Sequence, residues 1–326
     1  LNKIIKILKK FYMDTRFFSF RLAILHLKET LARYTFYKMP AASYLEKDKI
    51  ILDYLKVHYP IDLSYEVGLN GKHVSKIWVF WYQGENQMPN LVKYTYDSIK
   101  RNANGHLVEL ITKDNVDNFI KIPQTIKKRV AMKKISVAQY SDIIRAALLA
   151  EYGGLWIDST VLVTRPIPDE IFSREFFTIK NEEDRKNPLF YISVAHLRWT
   201  TYVMGGTAGN ALFIYMKNGL IKYNSEEHAL IDYLLIDYFI EVAYETLPDV
   251  KIMFQKLPVT NIEKESLVHR LNVTFPDSET ERLLVGDTYF FKLTYKMRKM
   301  SSKVPTNYDL LNHQKFLKSY SRGENN

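Results

Sequence analysis

The sequence has no cysteine. Disulfides and thiolate metal sites are therefore excluded, and nothing in the composition calls for an oxidising compartment. It also has no apolar run approaching the ~18 residues that a membrane-spanning helix needs. The opening stretch, LNKIIKILKKFYMD, is basic and apolar but has no small-residue cleavage site, so a signal peptide is not expected. Internal repeats and low-complexity linkers are missing. Acidic residues are scarce at both ends. Residues 1–50 hold 11 Lys/Arg against 4 Asp/Glu, and residues 291–326 hold 8 against 2, so a net charge of +10 leaves −3 for the middle. That distribution argues against a nucleic-acid channel through the core. It suits two ends lying on an anionic surface, and the expected location is cytoplasmic, peripheral on the inner face of the cell membrane.

What is present is a chain of 326 residues, 47% hydrophobic and 25% charged, enough to bury a large core as one large or two modest domains. Leu1, Ile4, Ile5, Leu8 and Phe11 recur at helical spacing with lysines between them, and the apolar pattern continues over 16–34. Residues 1–57 are read as two or three helices, packed on the main domain, touching a membrane surface, or both. The domain boundary is set at 70/71, with a basic helical region before it and a basic tail at the far end.

At residue 76 the texture changes. KIWVFWYQG reads as a buried strand and MPNLVKYTYDSIKRNANG as a helix. HLVELITKDN reads as a second strand, VDNFI, TIKKRVAMKK and SVAQYSDIIRAALLAEY as helices, and GLWIDS as a third strand. Strand–helix–strand order predicts an α/β fold with a parallel sheet whose ligands bind at the carboxyl ends of strands, where Gln83, Gly84, Asp114 and Asp158 stand. Beyond 165, EFFTIK and LFYISVAHL look like strands, and ALFIYMKNGLIKY and EEHALIDYLLIDYFIEVAYETL like helices.

The segment carrying chemistry is SVAQYSDIIRAALLAEYGGLWIDST, residues 136–160. Ser136 and Gln139 have capping-box spacing. Asp142 and Arg145, three apart, share a helix face. Gly153 suits a helix C-cap and Gly154 a tight turn into the strand that ends at Asp158. Asp142, Arg145 and Asp158 can converge on one ligand. Taken alone, the first two also make an ordinary helix ion pair, and Asp158 an ordinary turn cap.

Those residues resemble the sugar-binding region of glycosyltransferases with a D-x-D motif. The span from KIWVFWYQG through SIKRN, DIIRAALLAEYGGLWIDSTVLVTRPI and GNALF to DYLLIDYF, roughly 76–245, resembles the bacterial capsular polysaccharide synthesis proteins. The resemblance implies a GT-A-like, Rossmann-type, mostly parallel sheet flanked by helices, with an N-terminal helical extension. It implies transfer of a sugar from a nucleotide-sugar, expected to be a UDP-hexose, to a growing capsular or exopolysaccharide, free or lipid-linked, with retention. A divalent cation, Mn²⁺ or Mg²⁺, would neutralise the leaving diphosphate, held by Asp158 and Thr160. Donor contacts carry over to Trp81, Gln83, Gly84, Asp142, Arg145, Gly154 and Asp158. His228 and Asp232, four apart on an expected helix, carry over as the catalytic pair, unless they are an ion pair.

Two departures stand out. Thr160 replaces the second acid of D-x-D, and YFFKLTYK lacks the histidine that often completes the metal shell in related enzymes; His313 is the nearest later candidate. Trp199 is either core or a sugar platform, and Gly205, Gly206, Gly209 and Asn210 mark a turn near donor or acceptor. Two other classes compete. DSTV matches only the first Asp of a haloacid-dehalogenase-type phosphatase signature. A non-enzymatic basic protein binding membrane or RNA is disfavoured by the acidic middle.

Overall fold

Local sequence decides most of the elements. The computed structural model describes residues 2–35, 37–62, 75–187, 190–297 and 302–321; the boundary expected at 70/71 lies outside them. Three helices come first: α1 (Asn2–Phe17), α2 (Phe20–Tyr34) and α3 (Ala41–His58). Ser19 caps α2 by accepting from the Leu22 amide. Leu22 of α2 and Ile51, Leu52 and Leu55 of α3 enter the same core as the later helices. An ion network pins them: His26 lies 2.9 Å from Asp14 and 3.2 Å from Asp232, and Lys47 Nζ lies 2.9 Å from Glu29 and 3.3 Å from Asp232.

The sheet follows in the predicted order: β1 (Lys76–Phe80), α4 (Asn90–Arg101), β2 (Leu107–Ile111), α5 (Gln124–Ala131), α6 (Val137–Tyr152) and β3 (Gly154–Ile157). β1 pairs in parallel with both β2 and β3. Its side chains are buried on both faces: Ile77 and Val79 pack with Val92, Tyr96 and Ile99 of α4, while Trp78 and Phe80 pack with Ile143 and Ala147 of α6. Next come β4 (Val161–Val163), α7 (Glu170–Ser173), β5 (Phe176–Thr178) and β6 (Val203–Gly206). The main sheet runs β2-β1-β3-β6-β5, with β6 antiparallel to both neighbours, so four of the five strands point one way. Helices α8 (Ala211–Glu226), α9 (Leu235–Thr246), α10 (Pro248–Gln255) and α11 (Ser278–Val285) lead to β7 (Phe290–Lys292), which pairs antiparallel with β4 as a second small sheet. The C-terminal segment adds α12 (Asn307–Asn312) and α13 (Phe316–Ser321), and Phe316 and Leu311 are buried with Leu91 and Tyr94 of α4.

The later half departs from the sequence reading in three places. Residues 190–198 form turns, not a strand. His196 and Leu197 have positive φ, and Arg198 donates to the carbonyls of Val194 and Ala195, so side chain and turns satisfy a backbone expected to seek a sheet. The helix expected over 226–247 begins only at Leu235. Between α8 and α9 the backbone is satisfied by side chains instead. Lys10 Nζ donates to the carbonyls of Leu230 and Ile231, and the Tyr223 hydroxyl donates to that of Ala229 and accepts from the Ile231 amide. His228 and Asp232 therefore share no helix face. Finally, Gly205 and Gly206 are strand residues. Gly206 stands opposite Gly154 in β6, and Asn210 caps α8 by accepting from the Leu212 amide.

Candidate active site

The helix α6 carries the complete capping box of Ser136 and Gln139. It ends at Gly153, with φ +68°, where a Cβ would stand 2.6 Å from Ala208 N and from Gly206 O. Glycine is required there by close backbone approach and by φ. The turn is thus tight and braced, and β3 leads directly to Asp158. The Asp158 amide donates to the Tyr202 carbonyl at 2.8 Å, and its own carbonyl accepts from the Val161 amide at 2.9 Å.

The Asp158 carboxylate is fully engaged. Oδ1 accepts from Arg145 Nη2 at 3.0 Å and from Trp156 Nε1 at 2.8 Å. Oδ2 accepts from Lys292 Nζ at 2.5 Å, and the same ammonium donates to Thr160 Oγ1 at 2.9 Å. Arg145 Nη1 lies 3.1 Å from Asp142 Oδ1, and the guanidinium sits 5.0 Å over the Trp156 ring. Its Nε and Nη1 are buried without a hydrogen-bond acceptor. The side chains of Asp142 and Asp158 are 19% and 24% exposed, which opens both to the space in front of them.

That space is a cavity of about 590 Å³ at the carboxyl ends of β1 and β3. Trp81, Tyr82 and Gln83 follow β1 on one wall; Asp142 and Arg145 of α6, with Asp158 and Thr160, form the floor; Tyr202, Tyr233 and Asp237 stand opposite; Lys292, Tyr295 and Lys296 close it from the C-terminal side. Burial raises the Asp142 carboxyl to about 7, against the pull of Arg145 and with help from the charges of Asp237 and Asp158. Burial likewise raises Asp237 to about 6, although the Trp199 indole donates to it. Asp158 moves the other way: burial would raise it, but Lys292 and Arg145 outweigh burial and lower it.

Six expected site residues meet here: Trp81, Gln83, Asp142, Arg145, Asp158 and Thr160. Gly84 and Gly154 do not line the cavity. The Gly84 amide closes a turn on the Trp81 carbonyl, and Gly154 faces β6. Asp114 is exposed elsewhere, and His313 is the exposed C-cap residue of α12. Trp199 is core, buried against Phe254. The expected catalytic pair does not meet in this cavity. Asp232 is buried in the ion network of His26 and Lys47, and His228 lines a different cavity, beside Phe17. Their segment contributes Tyr233 and Asp237 to the site instead. Sequence reasoning missed Asp237, an acid four residues before Glu241 on a largely apolar helix, and Lys292, in a stretch read only for its lack of histidine.

The expected cation ligands, Asp158 and Thr160, do not fit a divalent ion as arranged. They offer one carboxylate and one neutral hydroxyl, and the Lys292 ammonium occupies the position between them. Among the described residues, His26, Glu29 and Asp232 offer ligand atoms within 4.8 Å of one another, a grouping that could hold a cation. It lies outside the cavity, and Lys47 already bridges its two acids.

No curated protein matches the chain. Among solved structures, a PaToxG glycosyltransferase is similar at 12% identity and a TM-score of 0.38, over 86% of this chain and 96% of that one. The family described as "Capsular polysaccharide synthesis protein" matches residues 41–311, which span the sheet, α6 and the whole cavity. The chain belongs to the capsular polysaccharide synthesis family.

Proposed function

We propose that this member of the family is a glycosyltransferase that moves a sugar, expected to be a hexose, from a nucleoside-diphosphate donor to a growing glycan, with retention. The observation that carries the reading is the convergence of Asp142, Arg145, Asp158 and Lys292 on one cavity at the strand ends. Its volume, about 590 Å³, suits a ligand of nucleotide-sugar size. Trp81 and Tyr295, in edge-to-face contact at 5.5 Å, offer aromatic surface to a base. Arg145, Lys292 and Lys296 offer positive charge to two phosphates. Asp142 and Asp237 offer carboxyl oxygens to sugar hydroxyls.

A second cavity, of about 710 Å³, supports an acceptor path. Lys6, Lys9 and Lys10 of α1 line it together with Arg129, Lys133, Lys134 and His228, and Tyr233 lines both cavities. Among the described residues its one acid, Glu227, already accepts from the hydroxyls of Tyr54 and Tyr59. The excess positive charge suits an anionic glycan or a lipid-linked one arriving beside the donor. The test is a panel of nucleotide sugars, scored by thermal stabilisation of the protein and by release of nucleoside diphosphate. A positive response to one donor, lost in Arg145→Ala, is the expected result. Indifference to every nucleotide sugar overturns the reading.

A further inference from the structure

Nucleotide-sugar transfer leaves a diphosphate, and something positive must meet the charge that develops on it. We infer that in this protein Lys292 is that charge, standing in the chain where a bridging divalent cation would otherwise sit. The inference rests on the glycosyl-transfer reading above and specifies how its donor is held.

The position of Lys292 is built into the fold. β4 and β7 pair Val161 with Lys292, the Leu293 amide donates to the Thr160 carbonyl at 3.0 Å, and the Lys292 amide donates to the Lys264 carbonyl at 2.7 Å. Phe290 and Phe291, immediately before it, are fully buried. The backbone is therefore clasped on both sides, and the side chain projects to the floor of the cavity, 28% exposed. An ammonium has three N–H donors. Asp158 and Thr160 take two, which leaves one for the cavity.

The charges also balance in a way a D-x-D pair would not. Two carboxylates at 158 and 160 would demand a divalent partner. With Thr160 neutral, Asp158 contributes one negative charge and Lys292 one positive. Asp142 and Arg145 form the other pair, and Lys296 also lines the cavity. An arriving diphosphate thus meets Arg145, Lys292 and Lys296 alongside three acids, Asp142, Asp158 and Asp237, and burial disfavours the charged form of Asp142 and Asp237. In the transfer, the bond between the sugar's anomeric carbon and the phosphate oxygen breaks, and its electron pair stays on that oxygen beside Lys292. The acceptor oxygen forms the new bond to the anomeric carbon, and its proton passes to the departing diphosphate.

Calorimetry on the full chain with a panel of nucleoside diphosphates (UDP, GDP, CDP and dTDP) tests this, with EDTA in one arm and Mn²⁺ in the other. One of the four should bind in EDTA, and Mn²⁺ should change its affinity little. Lys292→Met should weaken it about tenfold or more in EDTA, as expected for loss of a charged hydrogen bond, and Lys292→Arg should retain much of it. Because the Met variant frees Asp158 Oδ2, with Oδ1 still held by Arg145 and Trp156, Mn²⁺ should bind that variant together with the diphosphate and recover part of its nucleotide affinity, a gain that mere structural damage does not produce. Binding that requires Mn²⁺ in the wild type and is indifferent to Lys292→Met overturns this inference and leaves glycosyl transfer standing. No binding of any of the four in either arm overturns both.

Discussion

Asp142 and Asp158 open on the same cavity, yet their surroundings push their protons in opposite directions. Asp158 faces two cations and stays ionised; Asp142 has one, shares it, and holds its proton to about 7. The folded state therefore keeps a proton on Asp142 that the unfolded chain releases near pH 4. Between those values the native state binds more protons at this site, so the contribution of Asp142 to stability falls as pH rises from about 4 to about 7 and then levels off. Asp142→Asn should raise the melting temperature at pH 8 and change it little at pH 4. If ionised Asp142 accepts from a donor hydroxyl, the wild-type rate should climb through pH 7, and the Asn variant should lose both that limb and most of its activity. A variant with the wild-type pH–rate profile would remove Asp142 from the reaction. Asp142, Arg145 and Asp158 were legible in the sequence because a capped helix, two glycines and a strand fix their relations within 25 residues of chain. Lys292 was not, because it reaches Asp158 across 134 positions through a strand pair too short to show a pattern.

The α6–β3 connection is closely packed against the chain beyond β6. Gly153 combines a positive φ with backbone atoms of Gly206, Thr207 and Ala208 at a distance no side chain tolerates. Gly153→Ala should cost on the order of 3 kcal/mol, from strain and forced separation together. Chemical denaturation measures it, and an unchanged midpoint would contradict the packing described. The parallel half of the sheet was readable from apolar runs alternating with helices. The segment between α8 and α9 was not, because its apolar spacing is helical while its hydrogen bonds come from Lys10 and Tyr223, far away or on another element. The same segment, with α1 and the residues after α5, walls the basic cavity. Replacing Lys6, Lys9, Lys133 and Lys134, all exposed, by Gln should raise the KM for an anionic acceptor and leave the donor KM unchanged. Equal effects on the two substrates would count against an acceptor role.

For the molecule as a whole, α1 leaves Ile4, Ile5, Leu8 and Tyr12 exposed along one side, with lysines flanking them. Among the described residues no helix is long and apolar enough to cross a membrane. The stripe instead suits a helix lying in a membrane surface, where each basic residue adds about 1 kcal/mol on anionic lipid. Vesicles containing anionic lipid should sediment the protein at low salt and release it at high salt, and Ile4→Asp with Leu8→Asp should weaken the association without lowering the melting temperature. Equal binding to neutral vesicles would exclude the electrostatic part. The ion network under these helices has a further consequence, one of timing. His26 and Lys47 find Asp232 only after 206 and 185 more residues have been made. At a synthesis rate of about 5–20 residues per second, the N-terminal helices stay for roughly ten to forty seconds without the partner that fixes them. During that interval a basic, apolar-striped segment stands without its later partner, and a membrane surface can meet it before the chain 185 to 206 positions further on has been made.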